Sequence, residues 1–474
     1  MRPVIKFGTD GWRGIIAEDF TFDNVRRCAQ SLAEYLQDKG LASRGLVIGY
    51  DTRFASENFA AAAAEVVAAN NIKVYLCPQA TPTPIVSYGI RDHKAAGAII
   101  ITASHNPAQW NGFKIKSEDG ASAPTDVEAN IESRLPQIIA QDRVKSLALD
   151  DGIAKGLIEY SDLAPAYYDH VAQLIDLQNL RQAGLKIVVD SMFGAGTGCF
   201  RKFLQGDKTV LTEINGERNP IFPGIQPEPI ARHLTKLSTL VRESAADVGL
   251  ATDGDADRIG VVDEKGNPLT PLQIFALLAL YLLEVRGERG PIIKTLTTSS
   301  MLYKLGKIYN VPVYETRVGF KYVAPKMISV NALIGGEESS GFGFRGHLPE
   351  RDGILAGLYF LDLMSKLKKT PSQLIEYLYS KVGPHHYQRT DLEFSPAERE
   401  RIIDSLKSKI PSQIAHSEVV KVNTIDGFHF SLADGSWLLI RLSGTEPILR
   451  IYAEAGSLER AKQLVTEGRN MLGV

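Results

Sequence analysis

Cysteine is scarce in this chain, and its few cysteines stand too far apart to form a recognisable motif. Cys28, Cys77 and Cys199 are the only 3 among 474 residues, and no C-x-x-C pair occurs. An odd number of isolated cysteines supports neither a disulfide framework nor a structural zinc site. The sequence therefore favours a reducing compartment, and we expect a cytoplasmic protein.

Long apolar runs and an excess of charge are missing as well. The longest apolar stretch, residues 272–283, is too short to cross a bilayer core of about 30 Å and suits a buried helix. The first residues, from Met1 to Lys6, lack the apolar segment of a signal peptide. The formal net charge of -2 creates no basic field for nucleic acid or a membrane surface. We therefore expect neither as a partner.

Three common catalytic signatures are also absent. Residues 7–14 are rich in glycine, but they lack the G-x-x-x-x-G-K-[ST] pattern of an NTP-binding loop. Their glycines permit tight turns that could present Arg13, although an ordinary N-terminal turn fits the same residues. No G-x-S-x-G elbow supports a serine hydrolase. The 9 histidines do not cluster around residues 253–257, as a two-metal hydrolase of the alkaline-phosphatase kind would require.

A pattern of short apolar runs that alternate with helical stretches occurs repeatedly along the chain. One unit opens at residues 46–50, another at 185–189 and another at 291–295. This alternation predicts βαβ units and a mostly parallel sheet in each. Because domains usually contain roughly 100–150 residues, the chain length itself predicts three or four domains.

The residues from 384 onward follow a different pattern. Strand-like runs are separated by the turn signals Asp426-Gly427 and Asp434-Gly435, and helical stretches flank them. Residues 384–386 suit a linker. We predict an α/β protein with βαβ-type domains at 1–155, 156–268 and 269–383, containing mixed, mostly parallel sheets. A smaller α+β domain at 384–474 completes the molecule around a central cleft.

Short polar motifs stand where apolar strands should end. They are residues 102–107, 253–258, 336–341 and 441–447. In parallel sheets, ligands bind beyond the carboxyl ends of the strands. We therefore expect these motifs to face one cleft.

The second motif places carboxylates at alternate positions, in Asp253, Asp255 and Asp257. Alternate side chains of an extended segment point to one side, and crowded carboxylates repel each other unless a cation lies among them. Oxygen ligands suit Mg²⁺. An EF-hand calcium loop would match Glu264 at its last position, but it needs glycine where Arg258 stands, so we reject it. A solvated acidic turn stays an alternative.

Ser104 follows a predicted buried strand, where a serine most often forms a cap or a turn. Lys114 offers a cation close by in the sequence. With Mg²⁺ at the aspartates, Ser104 suits a phosphoryl carrier, because a phosphoserine adds about two negative charges and can complete the metal's ligand shell.

The remaining motifs offer hydrogen-bonding groups. Glu337, Glu338 and Ser339 suit sugar hydroxyl groups, and a polar turn fits them equally well. Arg441 can hold a phosphate through two parallel bonds. Around Gly444, backbone amides and the hydroxyl groups of Ser443 and Thr445 can form a concave nest of donors, although an ordinary hairpin turn would have the same residues.

In this order, the motifs resemble those of the α-D-phosphohexomutase superfamily, which includes phosphoglucomutases and phosphomannomutases. The resemblance covers essentially the whole chain and implies three related α/β domains and a smaller fourth domain around a cleft. It implies Mg²⁺ as cofactor and glucose 1,6-bisphosphate as intermediate and activator. We expect small sugar phosphates as substrates, and a monomer or weak dimer.

The resemblance also implies a role for each residue. Ser104 would be the phosphoserine and would bind Mg²⁺ together with Asp253, Asp255 and Asp257. Arg13, His105 and Lys114 would surround the reacting oxygens, with Lys114 as the candidate general base. The implied substrate-binding residues are Arg258, Thr316, Gly319, Lys321, Glu337, Ser339, Arg441, Ser443, Gly444 and Thr445.

The sugar loop provides the prediction of substrate. Its Glu-Glu-Ser is similar to that of phosphoglucomutases, whereas phosphomannomutases of dual specificity resemble Glu-Met-Ser and phosphoglucosamine mutases Glu-Gln-Ser. We therefore expect interconversion of glucose 1-phosphate and glucose 6-phosphate. A glucose 1,6-bisphosphate synthase with a donor such as fructose 1,6-bisphosphate, and a phosphomannomutase, stay open. A binding protein without turnover should have lost Ser104 or an aspartate of the motif, and all are present.

Overall fold

The computed structural model describes residues 5–8, 10–408, 410–442 and 448–472. These residues form four β-sheets, and we call each sheet with its helices a domain, I to IV. Short 3₁₀-helices occupy Ala42–Arg44, Ala231–His233 and Pro396–Glu398. Within the described part of the chain, no helix combines the length and apolar character that a membrane-spanning segment needs.

Domain I contains a sheet of 6 strands in the order β1-β5-β4-β2-β3-β6. Its central strands are parallel, and β1 and β5 run antiparallel to their neighbours. The sheet extends past the boundary predicted at residue 155, because β6 pairs with β3. Its elements are β1 Trp12–Ile15, α1 Phe22–Asp38, β2 Leu46–Tyr50, α2 Ser56–Ala69, β3 Val74–Leu76, α3 Thr83–His93, β4 Ala98–Ile101, β5 Trp110–Lys116, α4 Thr125–Gln141, α5 Leu149–Ala154 and β6 Ile158–Tyr160.

Domains II and III repeat the central part of this architecture with 4 strands each, in the orders β10-β9-β7-β8 and β12-β11-β13-β14. The elements of domain II are α6 Ala164–Leu174, α7 Leu177–Gln182, β7 Lys186–Asp190, α8 Cys199–Leu204, β8 Val210–Ile214, α9 Thr235–Glu243, β9 Val248–Thr252 and β10 Ile259–Val262. Those of domain III are α10 Pro271–Leu280 with a π-helical turn Tyr281–Val285, β11 Ile292–Thr295, α11 Met301–Tyr309, β12 Val313–Thr316, α12 Phe320–Val330, β13 Ile334–Gly336, β14 Phe342–Phe344, α13 Gly353–Leu367 and α14 Pro371–Val382.

Domain IV is an antiparallel sheet of 6 strands in the order β15-β20-β19-β18-β17-β16, with two helices. The fold class predicted from the sequence is thus confirmed: mixed, mostly parallel sheets in the repeated domains and an α+β domain at the end. The elements are β15 His386–Glu393, α15 Arg399–Ser408, β16 Gln413–Ile414, β17 Ser417–Asn423, β18 Phe428–Leu432, β19 Trp437–Leu442, β20 Ile448–Ala455 and α16 Leu458–Asn470.

Helix α10 shows how the local sequence determines where a helix begins and which of its residues are buried. Thr270 and Gln273 form a capping box at its N-terminus, and Pro271 occupies the first turn, where its missing N–H costs nothing. Every residue from Leu272 to Leu283 except Gln273 is buried, as the apolar run predicts. This helix lies within one hydrophobic core that domains I to III share.

Domain IV has a hydrophobic core of its own, built from its sheet, α15 and α16. Its apolar contact with domain III is small: Leu296 packs with Trp437, Leu439 and Tyr452. The fourth domain is therefore attached to the other three, whereas those three are built around common apolar residues.

In each repeated domain, one parallel strand returns through a loop into an antiparallel neighbour. The serine loop (residues 102–109) joins β4 to β5, the aspartate loop (253–258) joins β9 to β10, and the glutamate loop (337–341) joins β13 to β14. Residues 443–447 lie between the antiparallel pair β19 and β20. The predicted motifs of the three repeated domains thus occupy equivalent connections.

Candidate active site

The serine loop and the aspartate loop meet at Ser104. The hydroxyl group of Ser104 donates a hydrogen bond to Oδ2 of Asp253 at 2.7 Å, and both residues are fully buried. Its Oγ also lies 3.3 Å from Nδ1 of His105. Ser104 has a φ of 52°, in the left-handed region that non-glycine residues adopt at a cost. The nucleophile predicted from the sequence is therefore held in a strained conformation beside the acidic cluster.

The carboxylates of Asp253, Asp255 and Asp257 converge, with one oxygen of each lying within 4.8 Å of the others. All three residues are buried, and Oδ1 of Asp255 and of Asp257 has no hydrogen-bond partner. Buried anionic oxygens without partners are costly. A cation that prefers oxygen ligands, such as Mg²⁺, would satisfy them, so the residues fit the predicted metal.

Lys114, on β5, lies opposite these carboxylates. The sequence indicated only that Lys114 follows Ser104 closely in the chain. Its Nζ is 2.8 Å from Oδ2 of both Asp10 and Asp255 and 3.2 Å from Oδ2 of Asp257. Burial alone would lower the pKa of Lys114, but these carboxylates outweigh burial and raise it above its ordinary value. The predicted role as a general base therefore requires that a bound cation first take up the carboxylate charge.

We expect Lys114→Met to destabilise the metal-free protein, because several buried carboxylates lose their cation. Removing one partner of a buried ion pair typically costs about 3–5 kcal/mol. Added Mg²⁺ should restore more stability to this variant than it adds to the wild type. The check is urea denaturation with EDTA and then with Mg²⁺.

Lys294→Met is the matched control. Lys294 is a similarly buried lysine that pairs at 2.8 Å with Glu315, a carboxylate outside the aspartate cluster. This variant should lose stability that Mg²⁺ does not restore. Equal Mg²⁺ effects on the two variants would contradict the assigned role of Lys114.

Arg351 connects the three repeated domains at the site. Its Nη2 lies 2.6 Å from Oδ2 of Asp10 in domain I and 3.0 Å from Oδ2 of Asp257 in domain II. Its Nε donates to Oε1 of Glu350 at 3.2 Å, and its side chain is 4% exposed. Sequence reasoning singled out neither Asp10 nor Glu350. The sequence feature that could have pointed to Asp10 is its place in the glycine-rich segment, close to Arg13.

The other predicted cations surround the serine loop at different distances. Arg13 donates from Nη1 to Oδ1 of Asn106 at 2.5 Å. Nε of Arg258 lies 3.8 Å from Oδ2 of Asp253 and 3.7 Å from Oδ1 of Asp257. Burial lowers the pKa of His105 well below its usual value, and the cations around it lower the pKa further. His105 is thus a neutral imidazole beside the serine.

The glutamate loop approaches the segment that follows β12. Oε1 of Glu337 accepts a hydrogen bond from the backbone N–H of Gly319 at 2.9 Å. Thr316 ends β12, and Ser339 is half-buried in the loop. Burial raises the pKa of Glu337, although Arg351 and then Arg258 lower it. The structure thus brings the predicted substrate residues Gly319 and Glu337 into contact.

The side chain of Lys321 contacts domain I. Its Nζ donates to the carbonyl oxygen of Gly8 at 2.9 Å and to Oε2 of Glu128 at 3.1 Å. It therefore connects α12 to the N-terminal segment of domain I.

Arg441 is the second-last residue of β19, and its Nε donates to Oδ2 of Asp426 at 3.0 Å. The same oxygen accepts from the backbone N–H of Val318 at 3.0 Å, which links domain IV to the segment after β12. The predicted phosphate-binding residues Ser443, Gly444 and Thr445 lie outside the described residues.

Glu338 forms a second link between domains III and IV. Its Oε1 accepts from the hydroxyl group of Tyr387 at 3.1 Å and from Nη1 of Arg389 at 3.0 Å. The residue that distinguishes the sugar motifs is therefore held by β15. Residues 384–386, predicted as a linker, lead directly into this strand, because β15 begins at His386.

The fold and the site define a multidomain α/β protein in which a buried serine, an aspartate cluster and several cations meet. Family models for phosphoglucomutase/phosphomannomutase match in order: α/β/α domain I at residues 4–142, domain II at 165–266, domain III at 270–382 and the C-terminal domain at 405–470. The chain belongs to this family, within the α-D-phosphohexomutase superfamily.

Individual relatives agree with the family models. A phosphoglucomutase/phosphomannomutase of Thermococcus kodakarensis is 30% identical over 468 residues, which cover 98% of each chain. A phosphoglucosamine mutase of Desulforamulus reducens is 30% identical over 480 residues, covering 98% of this chain and 99% of the relative. A crystal structure assigned to a phosphomannomutase of Thermus thermophilus matches with a TM-score of 0.85 and 32% identity over 100% of both chains. The names of these relatives support a hexose-phosphate mutase without selecting one sugar.

Proposed function

We propose that this protein is a phosphoglucomutase that interconverts glucose 1-phosphate and glucose 6-phosphate, with a phosphoryl group carried on Ser104. The observation that carries the proposal is the 2.7 Å hydrogen bond between Ser104 and Asp253, at the edge of the aspartate cluster. A serine placed there can carry a phosphoryl group within reach of the carboxylates that would hold a metal ion. We also propose a cytoplasmic location and a monomer or weak dimer.

The metal ligands in this proposal are Ser104, once phosphorylated, with Asp253, Asp255 and Asp257. When bound, Mg²⁺ would supply positive charge that offsets the charge developing on the transferred group. Arg13 and Arg258 carry further positive charge around Ser104 and would orient the phosphoryl oxygens.

The reaction then consists of two transfers in opposite directions. The bond between Ser104 Oγ and phosphorus breaks while a sugar hydroxyl oxygen bonds to the phosphorus, which yields glucose 1,6-bisphosphate. The hydroxyl proton passes to a base, for which Lys114 is the candidate with Arg13 or His105 as an assistant, and the departing Oγ of Ser104 takes up a proton in exchange. After the bisphosphate turns over, its other phosphoryl group returns to Ser104 and leaves the isomer.

Substrate residues in domains III and IV must accept both orientations. Glu337 and Ser339 would contact the sugar hydroxyl groups, and Thr316, Gly319 and Lys321 would border them. Arg441, with Ser443, Gly444 and Thr445, would hold the phosphate that does not react. Because domain IV has a hydrophobic core of its own and meets domain III through a small apolar patch and individual hydrogen bonds, this domain suits a lid that opens while the intermediate turns.

The sugar preference rests on Glu337-Glu338-Ser339, which is similar to the motif of phosphoglucomutases. The synthase alternative would use the same residues and differ only in releasing the bisphosphate. Substrate and retention of the intermediate therefore need to be measured together.

The decisive experiment follows ³¹P NMR of the Mg²⁺-loaded protein with glucose 1-phosphate and excess fructose 1,6-bisphosphate. We expect glucose 6-phosphate to accumulate with only traces of glucose 1,6-bisphosphate. Stoichiometric accumulation of the bisphosphate would instead show a synthase. Parallel samples contain mannose 1-phosphate or glucosamine 1-phosphate, and faster turnover of either would reassign the sugar.

A further inference from the structure

Arg53 is a fully buried arginine beneath the serine loop, and sequence reasoning did not single it out. It follows β2, which lies beside β4 in the sheet, so it stands next to the strand end from which Ser104 emerges. Its guanidinium donates to carbonyl oxygens of the serine loop and of the first residue of β5. Nη2 donates to Ser104 (2.7 Å) and Asn106 (2.6 Å), and Nη1 to Pro107 (2.9 Å) and Trp110 (3.0 Å).

The remaining donor of this guanidinium is also used. Nε donates to Oδ2 of Asp51 at 3.1 Å, so all five N–H groups of the fork have partners. Asp51 in turn accepts hydrogen bonds from the hydroxyl groups of Thr102 and Ser56. On the other side, the ring of Phe222 from domain II covers the guanidinium at 5.1 Å. The guanidinium of Arg53 is therefore held by residues of domain I, which contains Ser104, and of domain II, which contains the aspartates.

We propose that Arg53 is a positioning residue that holds Ser104 in its strained conformation for phosphoryl transfer. The inference rests on the proposed function of Ser104. Its physical basis is that the carbonyl group of Ser104 is pinned at one end while its hydroxyl group meets Asp253 at the other. A buried cation keeps its stability only while its partners surround it, so the arginine selects the loop conformation in which all four carbonyl groups point inward.

Lysine cannot replace this group. An ammonium group has three donors around one atom, whereas these carbonyl groups are spaced to match the planar fork of a guanidinium. Arg53→Lys keeps the charge beside Asp51 and removes the fork, so it separates a need for charge from a need for shape.

The experiment compares wild type, Arg53→Lys, Arg53→Ala and Arg218→Ala. Arg218 is the matched control, because it donates to the carbonyl oxygens of Thr52 and Arg53 from a half-exposed position without a recorded contact to the serine loop. We expect kcat of Arg53→Lys to fall roughly 100-fold, as for a misplaced reacting group. KM should stay close to the wild-type value, and Arg218→Ala should keep both.

Two further measurements separate positioning from folding. Ethylguanidinium should restore part of the kcat of Arg53→Ala and leave Arg53→Lys unchanged, because only the alanine variant leaves room for it. Hydrogen exchange of residues 102–110 should be faster in Arg53→Lys than in wild type and unchanged in Arg218→Ala. The exchange measurement requires no turnover, so it also decides the matter if Arg53→Ala does not fold.

Wild-type kcat in Arg53→Lys, or unchanged exchange of the loop, would overturn the proposal. A loss confined to KM, or a kcat that merely follows the folded fraction without rescue, would do the same. Turnover by the wild type is tested first. If the wild type acts on no hexose phosphate, the proposed function is wrong. Hydrogen exchange of residues 102–110 then tests by itself whether Arg53 holds the serine loop.

Discussion

Ser104→Ala should abolish turnover of glucose 1-phosphate. The loss should reach at least roughly 10⁴-fold in kcat, as for other enzymes that lose their nucleophile. Alanine cannot carry a phosphoryl group, and it removes one small oxygen atom from the fully buried site. The measurement is formation of glucose 6-phosphate with added glucose 1,6-bisphosphate. Intact mass should show a phosphorylated fraction in the wild type and none in the variant.

Ser87→Ala is the control for this experiment. Ser87 is a fully buried serine of domain I on α3, and its hydroxyl group has no hydrogen-bond partner. The control should keep wild-type kcat and the phosphorylated fraction. Near-normal turnover by Ser104→Ala would remove the covalent mechanism, whatever the mass spectrum shows.

Removal of divalent metal should stop turnover almost as completely, and added Mg²⁺ should restore it. The reason is that the buried carboxylates of Asp255 and Asp257 each contain an oxygen without a hydrogen-bond partner. Asp255→Asn should raise the Mg²⁺ concentration for half-maximal activity at least tenfold, on the order of known changes around metal ligands. Activity is measured after dialysis against EDTA, across a Mg²⁺ titration. Asp23→Asn, on the exposed face of α1, should match the wild type.

The Mg²⁺ requirement should also depend on pH. Burial, with Asp255 and Asp257 nearby, raises the pKa of Asp253 well above its ordinary value, whereas burial of Asp255 is outweighed by Lys114, which lowers the pKa of that residue; Asp253 is therefore the group that protons compete for with the metal. Protons and metal then compete, and the apparent Mg²⁺ affinity should fall as pH falls. Isothermal titration at several pH values checks this sign. Full activity in EDTA, or affinity that rises at low pH, would contradict a metal site at these aspartates.

The sequence allowed the repeated domains and the motif loops to be predicted because both depend on local patterns. Apolar runs such as Leu46–Tyr50 are buried throughout, and each predicted motif follows a strand. Strands β5 and β15 are harder to predict from the sequence. β15 alternates half-buried with exposed side chains, and β5 interrupts its apolar residues with asparagine and lysine, so neither shows a clear apolar period.

The ion network of the site could not be predicted, because its partners lie far apart in the chain. Arg351 and Asp10 are separated by 341 positions, and Lys116 and Glu350 by 234. Local periodicity contains no information on such pairs. The pKa of Lys114 has the same origin, since it depends on carboxylates from two other segments. The sequence therefore indicated which chemical groups the site contains, and the fold determines their charge.

Because domain IV has a hydrophobic core of its own, a movement of this domain would leave its core and the shared core of the other domains packed. Domains I to III share one hydrophobic core, whereas the core of domain IV contains residues of that domain alone. If domain IV opens as proposed, hydrogen bonds such as those from Val318 to Asp426 and from Ser300 to Glu454 would break, and the small apolar patch around Leu296 would be exposed. The shared core beneath the serine and aspartate loops would then stay out of contact with water while domain IV moves.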